Sequence, residues 1–210
     1  MATTSLTGRS AVKRQSILAA GRQLFLTHGY QGTSMDQVAA AAAVSKQTVY
    51  KHFGEKRELL FAIVTDALDV AAEAMRDRIV ALTDSADLEA DLVALAAEYL
   101  HTVIQEPVVQ LRRLVIGEAN RLPELARLYY EHAPLRTLAS LAGAFAVLHQ
   151  RGVLSVPEPS LAAEHFAFLV IGRPIDQALF DGAPSVLADV DVDGYARAGV
   201  NVFLAAYRAR

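Results

Sequence analysis

The chain has 210 residues, 53 % of them hydrophobic, and a formal net charge of −3. That length suits one large or two small domains with a sizeable core, and the absence of cysteine excludes disulfides and thiolate chemistry and fits a reducing cytoplasm. Residues 1–60 carry eight Lys/Arg against three Asp/Glu, a net +5, while the remainder carries twelve against twenty, a net −8. A basic end on an acidic body points to a polyanion as partner of one domain only, with chance surface charge as the plainer alternative.

In chain order, Met1–Gly8 has no basic segment followed by an apolar run and does not read as a signal peptide. Helix one is expected over Ser10–His28, where Ile17, Gly21, Leu24, Phe25 and His28 share a face and Gly29 supplies a stop. Helix two starts at Thr33 or Ser34, because Thr33 with Asp36 and Ser34 with Gln37 both have capping-box spacing. Met35, Val38, Ala39 and Ala42 are its apolar face, and Ala43–Val44 is the turn after it. Helix three has Ser45 as N-cap, carries Lys46 to His52, and ends at Phe53–Gly54. Helix four begins near Glu55 and continues to about Leu82 on the stripe Leu60, Val64, Ala67, Leu68, Ala71, Met75 and Ile79. It makes the domain boundary a shared helix.

Further helices are expected at about Ala86–Gln105, from Pro107, at about Leu122–Gln150 with a kink at Pro134, and at about Ser160–Phe180 with a kink at Pro174. A loop follows, and the last helix spans about Val192–Arg208. The longest uncharged stretch, Thr137–Gln150, has 14 residues and is too short to cross a bilayer. The expected fold is all-α. A three-helix helix-turn-helix domain (1–56) precedes a larger helical bundle (57–210), about nine helices in total.

Two short helices separated by a tight turn and preceded by a longer one have helix-turn-helix geometry. The second helix of such a pair lies in the DNA major groove, with its N-terminal side chains at base edges. Those are Ser45, Lys46, Gln47 and Thr48. Gln can bond adenine bidentately, Lys can donate to guanine O6/N7, and Thr can touch a thymine methyl. Tyr50, Lys51 and His52 supply phosphate donors a turn later. Thr33, Ser34 and the start of helix two offer unpaired N–H groups as a phosphate seat, and Lys56 is a further phosphate candidate. Lys46 and Lys51 have the alternative of a solvated surface position, and Tyr50 that of a core aromatic.

The larger domain carries seven candidate ligand-binding residues. Tyr99 and Val103 lie on an inward stripe with Leu88, Leu92 and Leu95, as core or as pocket wall. Glu118 falls on an apolar line and needs a partner: Arg112, Arg113, Arg121 or a ligand. Tyr129, Phe145 and Phe166 are core, interface or pocket wall, and His149 is a helix-end cation or a ligand contact. No catalytic residue and no cofactor are expected. His28, His52, His101, His132, His149 and His165 lack metal-binding spacing, and there is no Gly-rich phosphate loop, GxSxG elbow or Cys nucleophile.

Residues 12–64 resemble the DNA-binding domain of the TetR family of regulators. The resemblance rests on "ILAAGRQLFLTHGYQGTSMDQVAAAAAVSKQTVYKHFGEKRELL", with the Gly29–Tyr30 turn, the Thr33 start and the closing "KRELL". The segment "RRLVIGEANRLPELARLYYE", Arg112–Glu131, is similar to the ligand domain of the AefR-like branch. The resemblance implies a homodimer held by the last two long helices, about 160–180 and 192–208. It also implies two heads on a near-palindromic operator, with half-sites roughly 34–36 Å apart or more. A small-molecule effector in the helical body would spread the heads and release DNA. The implied function is a repressor; an activator, or an architectural DNA-binding protein without a ligand, is the alternative.

Overall fold

Helix signals dominate the sequence, and in the computed structural model every extended element is helical. Residues 3–209 are described, with side chains for 9–69 and 75–209; Met1, Ala2 and the side chains of the rest of Met1–Gly8 lie outside them, as does that of Ala71. The described residues form eleven α-helices, a 3-10 turn (Leu82–Asp84) and a π turn (Glu131–Leu135). The all-α fold class is confirmed, with more helices than the nine expected. The pairing that resembles a sheet among these residues is an isolated bridge, Leu154 with Arg208.

The chain divides into two compact units, residues 1–68 with 114–129, and residues 69–113 with 130–210. These packing units differ from the division at 56/57 drawn from the sequence. Residues 57–68 and 114–129 belong with the first.

The first unit contains α1 (Thr3–His28), α2 (Met35–Ala41), α3 (Lys46–Phe53), the beginning of α4 (Lys56–Ala81), the end of α6 (Glu106–Gly117) and α7 (Pro123–Tyr130). Ile17, Leu18 and Phe25 of α1, Val38 of α2, Val49 and Phe53 of α3, and Leu59, Leu60, Ile63 and Val64 of α4 form its core with Leu125. At Gly21 a Cβ would stand 2.9 Å from Ile63 Cδ1 and 3.2 Å from Leu59 Cδ2, so the absent side chain lets α1 and α4 approach closely. Gly29 (φ 69°) ends α1 in the left-handed region, as its position suggested.

The second unit is a bundle of α5 (Leu88–Val103), α8 (Arg136–Gln150), α9 (Pro159–Asp181), α10 (Ala183–Asp189) and α11 (Val192–Tyr207). Its centre is aromatic: the Phe145 and Phe166 rings are 5.7 Å apart, and Phe203 lies 5.0 Å from Phe145 and 5.3 Å from Phe166. All three are fully buried. The expected helix 122–150 is instead α7 and α8 joined by the π turn that holds Pro134; the wider turn absorbs the proline. α9 runs uninterrupted through Pro174. The segment expected to be a loop after α9 contains α10. Its Ala183 N–H is capped from afar by Glu106 Oε2 at 3.2 Å, and its Ala183 and Val186 are buried.

Candidate nucleic-acid interface

The helix-turn-helix is built from local capping. Ser34 caps α2: its Oγ accepts from the Gln37 N–H (3.2 Å), while Gln37 Oε1 accepts from the Ser34 N–H (2.8 Å). This settles the start of α2 in favour of Ser34. Thr33 lies just before the helix, 2 % exposed, and its hydroxyl donates to the carbonyls of Gly29 (2.9 Å) and Leu24 (3.2 Å). That hydroxyl is committed to the turn after α1; the phosphate seat expected at Thr33 would have to use its backbone alone.

α2 ends in a Schellman motif. The Ala43 N–H donates to Ala40 O (3.2 Å) and the Val44 N–H to Ala39 O (3.1 Å). Ala43 takes the left-handed position (φ 52°) that glycine usually fills. Ser16 of α1 donates its hydroxyl to Ala42 O at 3.2 Å, so the first helix clamps the turn. Ser45 then caps α3, its Oγ accepting from the Thr48 N–H (3.2 Å) and lying 2.8 Å from the Thr48 hydroxyl.

α3 buries Val49 and Phe53, four residues apart, and the Arg14 guanidinium of α1 lies 5.5 Å from the Phe53 ring. The opposite face is open: Lys46, Gln47, Tyr50 and Lys51 are exposed, Thr48 and His52 half-buried. This is the solvent-facing helix expected from the sequence. The Lys46 ammonium contacts both Asp36 carboxylate oxygens (2.8 and 3.0 Å) and sits 5.8 Å from the Tyr50 ring. The hydrogen bond to Asp36, with its charge, holds the Lys46 ammonium above the ordinary lysine value.

Three residues missed from the sequence join this face. Arg9, Ser10 and Lys13 of α1 line a groove of ≈ 320 Å³ with Thr48, Lys51 and His52 of α3. Arg9 and Lys13 are four apart and therefore share a helix face. That spacing, together with the positive charge of the N-terminal segment, was the available signal. The groove is open, basic and rich in hydroxyl and imidazole donors, which suits phosphate oxygens.

Lys56 is placed differently from expectation. Its ammonium donates to the carbonyls of Tyr30 (2.8 Å) and Thr33 (3.0 Å) and stands 4.4 Å from the Tyr30 ring. It fastens the turn between α1 and α2 to the start of α4, leaving one of three ammonium donors for anything else. Burial, then the nearby charges of Glu55 and Glu118, hold the Tyr30 hydroxyl above its ordinary value of 10.0, with Arg57 pulling the other way.

The seven ligand-binding candidates do not fall in one unit. Tyr99, Val103, Phe145 and Phe166 belong to the buried core of the second. His149, at the end of α8, has Nδ1 within 3.2 Å of the Leu154 carbonyl and 3.3 Å of the Val156 N–H, tying that end to the turn after it. Glu118 and Tyr129 lie instead in the first unit. Glu118 is buried and pairs with Arg121 at 3.6 Å, one of the arginines expected for it. Among the described residues no cluster of His, Cys, Asp or Glu is gathered to hold a metal ion, and no helix is long and apolar enough to cross a membrane.

Two family models match this architecture: "Bacterial regulatory proteins, tetR family" over residues 17–63, and "AefR-like transcriptional repressor, C-terminal domain" over residues 90–209. A solved structure described as a TetR-family transcriptional regulator from Mesorhizobium loti is 35 % identical with a TM-score of 0.88, covering 96 % of this chain and 99 % of that one. The flavonoid-responsive regulator FrrA is 32 % identical with a TM-score of 0.73, covering 94 % and 98 %. Among curated relatives, the transcriptional activator FasR of Mycolicibacterium smegmatis is 33 % identical over 73 residues, which is 35 % of this chain and 33 % of that protein. The repressor TetR of Mycobacteroides abscessus is 34 % identical over 89 residues, 42 % of this chain and 43 % of that protein. The chain thus spans a third to under half of these two curated relatives, but nearly all of the two solved structures. By its whole-length likeness and by both models, the chain belongs to the TetR family of DNA-binding transcriptional regulators.

Proposed function

We propose that this protein is a homodimeric repressor that leaves a palindromic operator when a small molecule binds its larger domain. The functional domains are then residues 1–56 for DNA and 57–210 for effector and dimer, working in the cytoplasm. The observation that carries the reading is the capped α3, which turns Lys46, Gln47, Tyr50 and Lys51 outward beside the Arg9–Lys13–Lys51 groove. Gln47 and Lys46, with Ser45 and Thr48 at the helix start, read base edges; Tyr50, Lys51 and His52 hold phosphates, with the start of α2 at Ser34 and, through its remaining donor, Lys56.

Dimerisation through α9 and α11 is supported by apolar side chains left outside: Leu161 and Phe168, seven apart on α9, and Val202 on α11. The AefR-like repressor model over residues 90–209 and the flavonoid-responsive relative support an effector-linked repressor. Release follows from population shift: an effector must favour the DNA-incompetent state by roughly 5 kcal/mol to empty a filled operator. The likeness to an activator over 73 residues keeps activation as the second reading.

Selection of bound duplexes from a random pool tests the first part. An inverted repeat bound by two chains is expected, and a selected site without two-fold repeat contradicts the dimeric reading. A thermal-shift screen of small aromatic and aliphatic compounds tests the second. A compound that raises Tm should weaken operator binding, and one that raises Tm yet leaves DNA affinity unchanged contradicts the effector role.

A further inference from the structure

Asp36 is the one acidic residue among positions 1–54, and it pairs with Lys46 of the recognition helix. Its two carboxylate oxygens grip the Lys46 ammonium at 2.8 and 3.0 Å, while the ammonium also rests 5.8 Å from the Tyr50 ring. Both charged side chains are highly exposed, 60 % for Lys46 and 63 % for Asp36. Such a pair contributes little to fold stability. A carboxylate facing a polyanion is, in contrast, unfavourable for DNA binding, so its presence calls for a reason at the interface.

We propose that Asp36 is a specificity-determining positioning residue, which holds Lys46 for one base-edge contact and withholds it from general phosphate binding. This rests on the reading of α3 as the recognition helix. A lysine reaches phosphates promiscuously because its stem is flexible and its charge compact. Here the ammonium is held against Asp36 and beside the Tyr50 ring. Asp36 takes one ammonium donor by hydrogen bond, and donors remain for a guanine O6 or N7 in register. To follow a phosphate instead, Lys46 must leave Asp36 and bare a carboxylate to the backbone. On the operator the pair stays intact; on other DNA the lysine adds almost nothing. The ratio between the two affinities widens, as it does whenever wrong partners meet an unpaired like charge.

The test is a four-protein cycle: the unsubstituted chain, Asp36→Asn, Lys46→Ala and the double variant. Each is titrated with a selected operator and with a scrambled duplex between 50 and 200 mM salt. Asp36→Asn should tighten scrambled binding several-fold and steepen its salt slope by about 0.9 per freed lysine. Operator affinity should change less, so specificity falls. In the Lys46→Ala background the same substitution removes an unpaired carboxylate and should tighten operator and scrambled binding by similar factors, leaving their ratio unchanged. An equal change of that ratio with and without Lys46, or a ratio that Asp36→Asn leaves unchanged in the chain that keeps Lys46, would overturn the proposal and leave Asp36 as plain surface charge. If the unsubstituted chain showed no salt-dependent duplex binding, the recognition-helix reading itself would fall. Thermal melts, expected to coincide for all four proteins, separate these outcomes from misfolding.

Discussion

Consider removing two cations from the groove, with Lys13→Ala and Lys51→Ala in one chain. Both side chains are exposed and line the same groove with Arg9, Thr48 and His52. Each phosphate neutralised by a cation contributes about 0.9 to the slope of log K against log salt. Two cations per chain give four in the proposed dimer, so the slope should fall in magnitude by about 3.6. At about 0.15 M salt each such contact is worth roughly 0.7 log unit, about 1 kcal/mol, so the variant should bind about 10³-fold more weakly. Fluorescence anisotropy from 50 to 200 mM salt measures both quantities. Phosphate contacts carry no sequence information, so operator and scrambled duplexes should weaken by similar factors. Arg113→Ala, an exposed cation of the second unit, should leave the slope alone. An unchanged slope in the double variant, or a loss confined to the operator, would refute the assignment of this groove to phosphates.

Three further outcomes are expected. Ala43→Gly should stabilise the protein by about 0.5–1 kcal/mol, because relief of ~1–2 kcal/mol of left-handed strain exceeds glycine's extra chain entropy; a lower denaturation midpoint would contradict this. Phe168→Asp, on a side chain 66 % exposed, should shift the sedimentation profile from dimer to monomer at micromolar concentration and weaken operator binding, whereas an intact dimer would exclude this face of α9 from the interface. Stability should decline as pH rises above 10.0, because the Tyr30 hydroxyl binds its proton more tightly in the folded chain than in the unfolded one. The stabilisation is complete below the unfolded value and lost through the higher folded one. Tyr30→Phe should flatten that decline in denaturant titrations, and an identical pH profile would remove Tyr30 as its source.

The parts legible in the sequence were those governed by neighbours in the chain. Ser34 with Gln37, Ser45 with Thr48, and the stops at Gly29 and Gly54 are local hydrogen-bonding and backbone problems, and the spacing of Val49 and Phe53 fixes which side of α3 faces inward. What was hidden depends on contacts far apart in sequence. α10 follows Gly182 and contains Pro184, a loop signature, yet it is a helix because Glu106, 77 positions away, supplies its cap and α9 covers its apolar side. In the sequence Lys56 reads as a phosphate ligand, but the carbonyls of Tyr30 and Thr33, 26 and 23 positions earlier, take two of its three donors. Arg9 and Lys13 gained a place only when α1 was set beside α3. Glu118 and Tyr129 follow the apolar pattern of the larger domain but fold into the first unit, a partition that periodicity does not encode.

The central claim is that the outer side of α3 enters the major groove, once per subunit. A photoreactive side chain introduced in place of Gln47 tests it most directly, with the cross-linked bases mapped on a selected operator. The account predicts adducts at base positions in both half-sites, related by the operator's two-fold axis and lost when the operator is in excess unlabelled form. Adducts scattered along the backbone without that symmetry, or none while the protein still binds, would contradict it.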